Sequence, residues 1–409
     1  MYYLAIILIL FAPVAGYANY IIVDCTPQPC TITNIPVSNP PVVPFVIEGH
    51  GKNAVGGYGA PTVLVDRMDD PATAVPGTLR YAVGLTTPRH IIFDVTGPIQ
   101  IDRTRAGLNL KGGHVTVDGG LNGVTIEGGT LGIIESETII HNMRIRLGLG
   151  TSYTKDAISI GANVIGNNLS NIVLDHCSLS WSEDELLGIN SNNGDVSGVT
   201  IQHSILSEPL GTAEPPGHAF GSLVHGLQNH LEVTYYHNII ANAVGRAPET
   251  TQGTVDVVNN VIYNIRHGWS RFGSNYNPVI SNVMNNYYQV GPDTVNPVSI
   301  TVDEETAFAT SSSIFIDGNF HSTLAPNAAP EEQMGLVGHK GLDGSPTMTR
   351  NVDFVTSPLP HMLTIIQSAS EAYTSVLATA GTPNRDVTDL RTVNSIINDS
   401  GAIVATPPL

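Results

Sequence analysis

The chain has 409 residues, only 13% of them charged, with 41 glycines, 27 prolines and a formal net charge of −18 at pH 7. That balance excludes nucleic acid as a partner, because phosphate binding needs a basic footprint, and it excludes simple electrostatic capture of a polyanion. An anionic ligand would have to be met by a local cation cluster or by a bound metal.

Met1 to Ala18 is apolar without one charged side chain and is broken by Pro13. Small residues at Gly16 and Ala18 fit a signal-peptidase site, and about 14 apolar residues are too few to span a bilayer. A signal peptide over residues 1–18 and a secreted protein are therefore expected, with no membrane as partner. Export permits a disulfide, and Cys25 and Cys30 are close enough in sequence to form one. Cys177 is left over and reads as a buried packing residue. Residues 19–48 read as an extension, in which the Pro-rich stretch from Ile35 to Pro44 is a stiff connector. The folded domain is expected over residues 49–409.

From residue 90 to 320 helical periodicity is nearly absent, while short Val/Ile runs bounded by Gly, Asn and Ser recur. Five segments share one frame: Asp175-His176-Cys177, Gln202-His203-Ser204, Tyr236-His237-Asn238, Val258-Asn259-Asn260 and Met284-Asn285-Asn286. Asp317-Gly318-Asn319 is a looser copy, and Ile140-His141-Asn142-Met143 an earlier one. The second residues, from 176 to 318, are spaced by 27, 34, 22, 26 and 33. Such a period marks a solenoid in which each turn buries its face against the next. The third column ends Asn238, Asn260, Asn286, Asn319, and stacked amides can hydrogen-bond as a ladder. His203 and His237 repeat in the stack and read as core histidines. The pattern predicts an all-β parallel β-helix, with segments 174–179, 201–206, 235–240, 257–262 and 283–288 stacked as one parallel sheet. Beyond Tyr236-His237, the strand pattern ends on Gly245-Arg246-Ala247-Pro248, an arginine fixed by a nearby proline and suited to an anionic ligand.

Six elements in order resemble the pectate lyase family of secreted polysaccharide lyases, from about Gly49 to the C-terminus. They are Gly56-Gly57-Tyr58-Gly59 with Val65-Asp66-Arg67 and Pro76-Gly77-Thr78-Leu79-Arg80; Ile91-Ile92-Phe93-Asp94; Met143-Arg144-Ile145-Arg146; Asp156-Ala157-Ile158; Leu174-Asp175-His176; and Arg246-x-Pro248. The tail from Glu371-Ala372-Tyr373 through Arg385-Asp386 is similar to the end of bacterial members. The resemblance implies a right-handed, single-stranded parallel β-helix with a C-terminal tail packed on it. It also implies cleavage of 4-linked galacturonan (pectate) by calcium-assisted β-elimination, by a monomer whose partner is an acidic polysaccharide. A base removes the C5 proton of a uronate whose carboxylate is neutralised, and the C4 glycosidic oxygen leaves.

Carried over residue by residue, the family's base falls on Arg246. Asp156 matches a calcium-binding aspartate, while a second, two positions earlier, falls on Thr154. Asp184 matches another, with Glu185 beside it, and a further one lands on Gly188. The metal set implied is Asp156, Asp184 and Glu185, completed by water and substrate. A substrate-contacting lysine of the family falls on His218; Lys155 and Arg271 are further candidates for binding the uronate. Asp175-His176 lies within the strand stack and reads as structural support for the metal-site coil. The replacements at Thr154 and Gly188 leave open a pectin or other uronate-polymer lyase with weak calcium dependence. A glycoside hydrolase using Asp156 and Asp184 would leave Arg246 without a role; the alternative of a non-catalytic β-helical carbohydrate-binding protein stays open, disfavoured by the retained Arg246, Asp156 and Asp184. No Cys/His zinc spacing, Gly-x-Ser-x-Gly elbow or phosphate loop is present.

Overall fold

In the computed structural model each winding of the chain yields three short strands, because Val/Ile-rich runs alternate with residues that turn the backbone. Residues 43–408 are described except 106, 151–155, 212–217, 228, 274–277, 296, 298, 304–311, 323–336 and 341–351, together with strands Tyr20–Asp24 and Thr31–Ile35. Met1–Ala18, Cys25, Cys30, Thr154 and Lys155 therefore lie outside the described residues. The chain divides into Met1–Val46 and Ile47–Leu409. The first unit holds the antiparallel pair Tyr20–Asp24 and Thr31–Ile35.

Within the second unit, one winding runs through Leu169–Asp175, Ser178–Ser180 and Glu185–Asn190. The next runs through Val196–Gln202, Ile205–Ser207 and Phe220–His225. Equivalent strands of successive windings pair in parallel, giving sheets of eleven, nine and nine strands. The fold is the expected parallel β-helix. Register places Ile140, Leu174, Ile201, Tyr235 and Val257 at one level of the first sheet, all buried. Each buried aliphatic side chain of that kind contributes roughly 1.5–3 kcal/mol.

One expectation needs correction. The segments around residues 176, 203, 237, 259 and 285 stack in register, but in two sheets rather than one. Leu174 pairs with Ile201 in the first sheet, whereas Leu179 pairs with Leu206 in the second. The chain bends between them at the second residue of the frame, which is left-handed in every copy: φ is 50° at His176, 48° at His203, 56° at His237 and Asn259, and 52° at Asn285. Asn and His tolerate that conformation better than most residues with a Cβ. His141 pairs with Asp175, so Asn142, with φ of 56°, is the corner of the earlier copy. His237 is buried at this bend and His203 nearly so, and burial pushes their rings down to about 3 and about 4.

The third column forms the ladder. Asn238 Nδ2 donates to Asn260 Oδ1, Asn260 to Asn286, and Asn286 to Asn319, each at 3.0 Å. The same oxygens accept from the backbone N–H of the preceding winding, as in Asn238 N to Asn260 Oδ1 at 2.9 Å. Cys177 heads the column, buried and unpaired by disulfide. Asn260→Ala strands Asn238 N–H in the core and takes the side-chain donor from Tyr235 O and Val258 O, so a loss of about 3 kcal/mol is expected. Urea unfolding with an unchanged slope would measure it; a loss below about 0.5 kcal/mol would contradict the ladder's role.

The C-terminal helices Ala369–Thr379 and Val387–Asn398 are capped by Ser368 and Asp386. Val376, Leu377, Val393 and Ile396 pack on Ile205, Ile239, Val261 and Tyr263, covering the outer face of the second sheet. Arg146 in that sheet ties the second helix down, its Nη2 lying 3.0 Å from Asp386 and 2.7 Å from Asp389.

Candidate active site

The turns from the second sheet into the third carry the polar residues singled out from the sequence. Asp156 precedes Ile158–Ile160, Asp184 and Glu185 open the strand Glu185–Asn190, and His218 precedes Phe220–His225. Arg246 precedes Glu249–Thr250, and Arg271 lies in Ser270–Gly273. These strands are consecutive neighbours in one sheet. Residues separated by up to 115 positions in sequence thus line one edge.

Oxygens of Asp156, Asp184 and Glu185 all lie within 4.8 Å of one another. Burial pushes the Asp156 carboxyl up to about 7, Asp184 adds to that, and Arg246 opposes it. Carboxylates crowded this closely in partial burial suit a hard divalent cation with oxygen ligands. Gly188 has a local reason. It pairs with Ser159 beside Asp156, and a Cβ at residue 188 would come within 2.2 Å of Asp156 Oδ2. A carboxylate at residue 188 is thus incompatible with this position of Asp156. If the cluster holds a divalent cation such as calcium, Gly188→Ala should push the Asp156 carboxylate off it and weaken that binding by about tenfold, measured by calorimetry. Unchanged affinity would show that Asp156 is not a ligand.

Arg246 is held on three sides. Its Nη1 is in close contact with Glu185 Oε1, its Nε lies 3.0 Å from Glu249 Oε2, and its Cζ sits 4.0 Å above the Phe220 ring. Its backbone is left-handed, with φ of 60°. For a residue with a long side chain that costs about 1–3 kcal/mol and persists only where surroundings enforce it. Here Ser222 N donates to Arg246 O at 2.7 Å and Ala247 N to Trp269 O at 2.6 Å. Strained backbone is spent on aiming this guanidinium at the carboxylates. His218 Nδ1 lies 2.9 Å from Asp184 Oδ1, with its ring packed edge-on to Phe220 at 5.6 Å.

Two residues escaped the sequence reading. Glu249 bridges Arg246 and Arg271, its Oε1 lying 3.1 Å from Arg271 Nη1. Strand register sets it opposite Arg271, and its spacing of three from Arg246 was the available signal. Phe220 underlies Arg246 and carries no signal of its own in the sequence. The structure brings together Asp156, Asp184, Glu185, His218, Arg246 and, through Glu249, Arg271; Lys155 is outside the described residues.

No family model matches the chain. It is 30% identical over 365 residues to a protein named probable pectate lyase C from Aspergillus flavus, covering 88% of this chain and 78% of that one. It is 31% identical over 275 residues to one named probable pectate lyase 22 from Arabidopsis thaliana, covering 63% of this chain and 60% of that one. Among solved structures, a thermostable pectate lyase superposes with a TM-score of 0.60 at 16% identity, covering 83% of this chain and 97% of that one. A pectate lyase bound to hexasaccharide gives 0.58 at 14% identity, with the same coverage. The protein is a polysaccharide lyase built on a parallel β-helix. It belongs to the pectate lyase family.

Proposed function

We propose that this enzyme cleaves 4-linked galacturonan by calcium-assisted β-elimination at the corner holding Arg246, Asp156, Asp184 and Glu185. The observation that carries the reading is charge. Four carboxylates (Asp156, Asp184, Glu185 and Glu249) face two guanidiniums (Arg246 and Arg271). Such a corner repels a polyuronate until a cation is added. The three converging carboxylates fit calcium, which when bound supplies the positive charge that neutralises the substrate carboxylate beside C5.

The chain's own groups do the rest. Asp156, Asp184 and Glu185 would hold the ion; Arg271 and His218, in the windings on either side of Arg246, would orient the uronate. Arg246 takes the C5 proton or stabilises the charge that develops there. Glu249 and Phe220 fix its planar fork, so no reorganisation is needed as the C–H bond breaks. The electron pair moves into a C4–C5 double bond and the C4 glycosidic oxygen departs, leaving an unsaturated uronate end. An arginine is an unusual base because its proton is normally retained.

Export belongs to the same proposal, resting on the apolar, charge-free composition of residues 1–18, which fits a signal peptide. Action as a monomer, and a β-helical domain over residues 49–409 preceded by an extension, belong to the same proposal. The test compares polygalacturonate with highly methyl-esterified pectin, following ultraviolet absorbance of unsaturated products. Faster cleavage of polygalacturonate is expected, since a free carboxylate is needed to engage the ion. Preference for the esterified polymer would move the assignment to a pectin lyase, and no cleavage of any uronate polymer to a binding protein.

A further inference from the structure

A second cluster lies at a different corner, where the first sheet turns into the second. His141 ends the strand Thr138–His141 and pairs in register with Asp175, the last residue of Leu169–Asp175. His176 follows at the left-handed bend. His141 Nδ1 lies 2.8 Å, and His176 Nδ1 2.7 Å, from the same oxygen, Asp175 Oδ2. All three donor atoms fall within 4.8 Å of one another.

The carboxylate is buried at the base, while the two imidazoles reach solvent with side-chain exposures of 17% and 26%. Gln202, in the next winding, donates Nε2 to Asp175 Oδ1 at 2.6 Å and so fixes the carboxylate's orientation. His203 stacks on His176 with ring centres 4.9 Å apart and fixes that ring. Supporting groups of this kind are what hold metal ligands in position. A surface cleft of about 540 Å³ beside His176, bordered by Thr379, Thr382 and Asn384, offers a path for an ion.

We propose that His141, Asp175 and His176 form a binding site for a borderline divalent metal of the zinc class, stapling two successive windings together. Two imidazole nitrogens and one carboxylate oxygen select such an ion over calcium, which prefers oxygen alone. Three protein ligands leave a fourth position for water. Bonds of about 2.0–2.1 Å set tetrahedral ligands roughly 3.4 Å apart, so the imidazoles retreat by about half an ångström. Each then carries its remaining proton on Nε2. The acidic groove joins the second sheet to the third, so calcium and this ion occupy separate corners of the same windings.

The test uses the full-length protein, stripped with chelator and then held in saturating calcium while zinc is titrated. One zinc per chain is expected by elemental analysis after gel filtration, and cobalt in its place should give the visible absorption of a tetrahedral site. The double variant His141→Gln, His176→Asn should lose at least about tenfold in zinc affinity, with calcium-dependent lyase activity unchanged. Gln202 occupies the column of His141, and Asn142, Asn259 and Asn285 occupy that of His176, so the variant keeps residues that this bend already accepts. Should it still fail to fold, the cobalt spectrum and a zinc-induced rise in melting temperature of the wild type decide. No stoichiometric zinc, a featureless cobalt spectrum, or a double variant that binds like wild type would leave only a hydrogen-bonded cluster and overturn the proposal.

Discussion

Arg246→Lys should lower turnover on polygalacturonate by on the order of 10²–10³ while the windings stay folded. A lysine keeps the positive charge but presents one ammonium where the guanidinium engages Glu185 through Nη1 and Glu249 through Nε at once. The reacting geometry, rather than the charge, is what is lost. The effect should fall on kcat more than on KM, because the residues proposed to bind the uronate, Arg271 and His218, remain in place. Circular dichroism and melting temperature should match the wild type, since Arg246 contributes little to the core and its backbone bonds survive the change. Arg246→Ala should remove activity almost entirely. Near-normal lyase activity in the alanine variant would refute the assigned role.

The second large effect concerns calcium and pH. Burial, with Asp184 next to it, pushes the Asp156 carboxyl up to about 7, whereas in the unfolded chain it ionises near the usual ~3.9. A folded-state value above the unfolded one means that the folded protein holds the extra proton between those limits. In chelator, this group's contribution to stability is therefore greatest at low pH and is lost as pH rises from about 4 to about 7. On the proposed reading calcium would bind the ionised cluster, so its stabilisation would run the opposite way. The rise in melting temperature on adding calcium should be larger at pH 8 than at pH 5.5, and Asp184→Ala should shrink it and raise the calcium needed for activity by about tenfold. A calcium effect independent of pH would argue against Asp156 as a ligand, and an Asp184→Ala protein with the wild-type calcium response against Asp184.

Much of the fold was legible in the sequence because a solenoid writes its repeat into the chain. Asn238, Asn260, Asn286 and Asn319 recur because each amide must meet the next, and a ladder tolerates few other side chains. The bend was not legible. Its left-handed residue is His, Asn or Gly and sits inside a hydrophobic run, so the two flanking strands read as one. The site was legible only in part. Asp156, Asp184, Glu185 and Arg246 stand out through the resemblance, but what unites them is stacking across windings, which the sequence separates by variable loops. Glu249 acquires its meaning from register with Arg271, and Gly188 from the carboxylate that occupies its space. The His141–Asp175–His176 group has no complete local signature, since His141 lies 34 residues before the adjacent pair Asp175-His176 and meets it only after winding.

The most direct measurement is the rate at which metal-free protein produces unsaturated uronate from polygalacturonate as calcium is titrated in. Absorbance should stay flat in chelator, rise saturably with calcium, and fall again when chelator is restored, with the Arg246→Lys protein remaining near baseline throughout. Full activity in chelator, or an Arg246→Lys titration that matches wild type, would contradict β-elimination by Arg246 beside a calcium held by Asp156, Asp184 and Glu185.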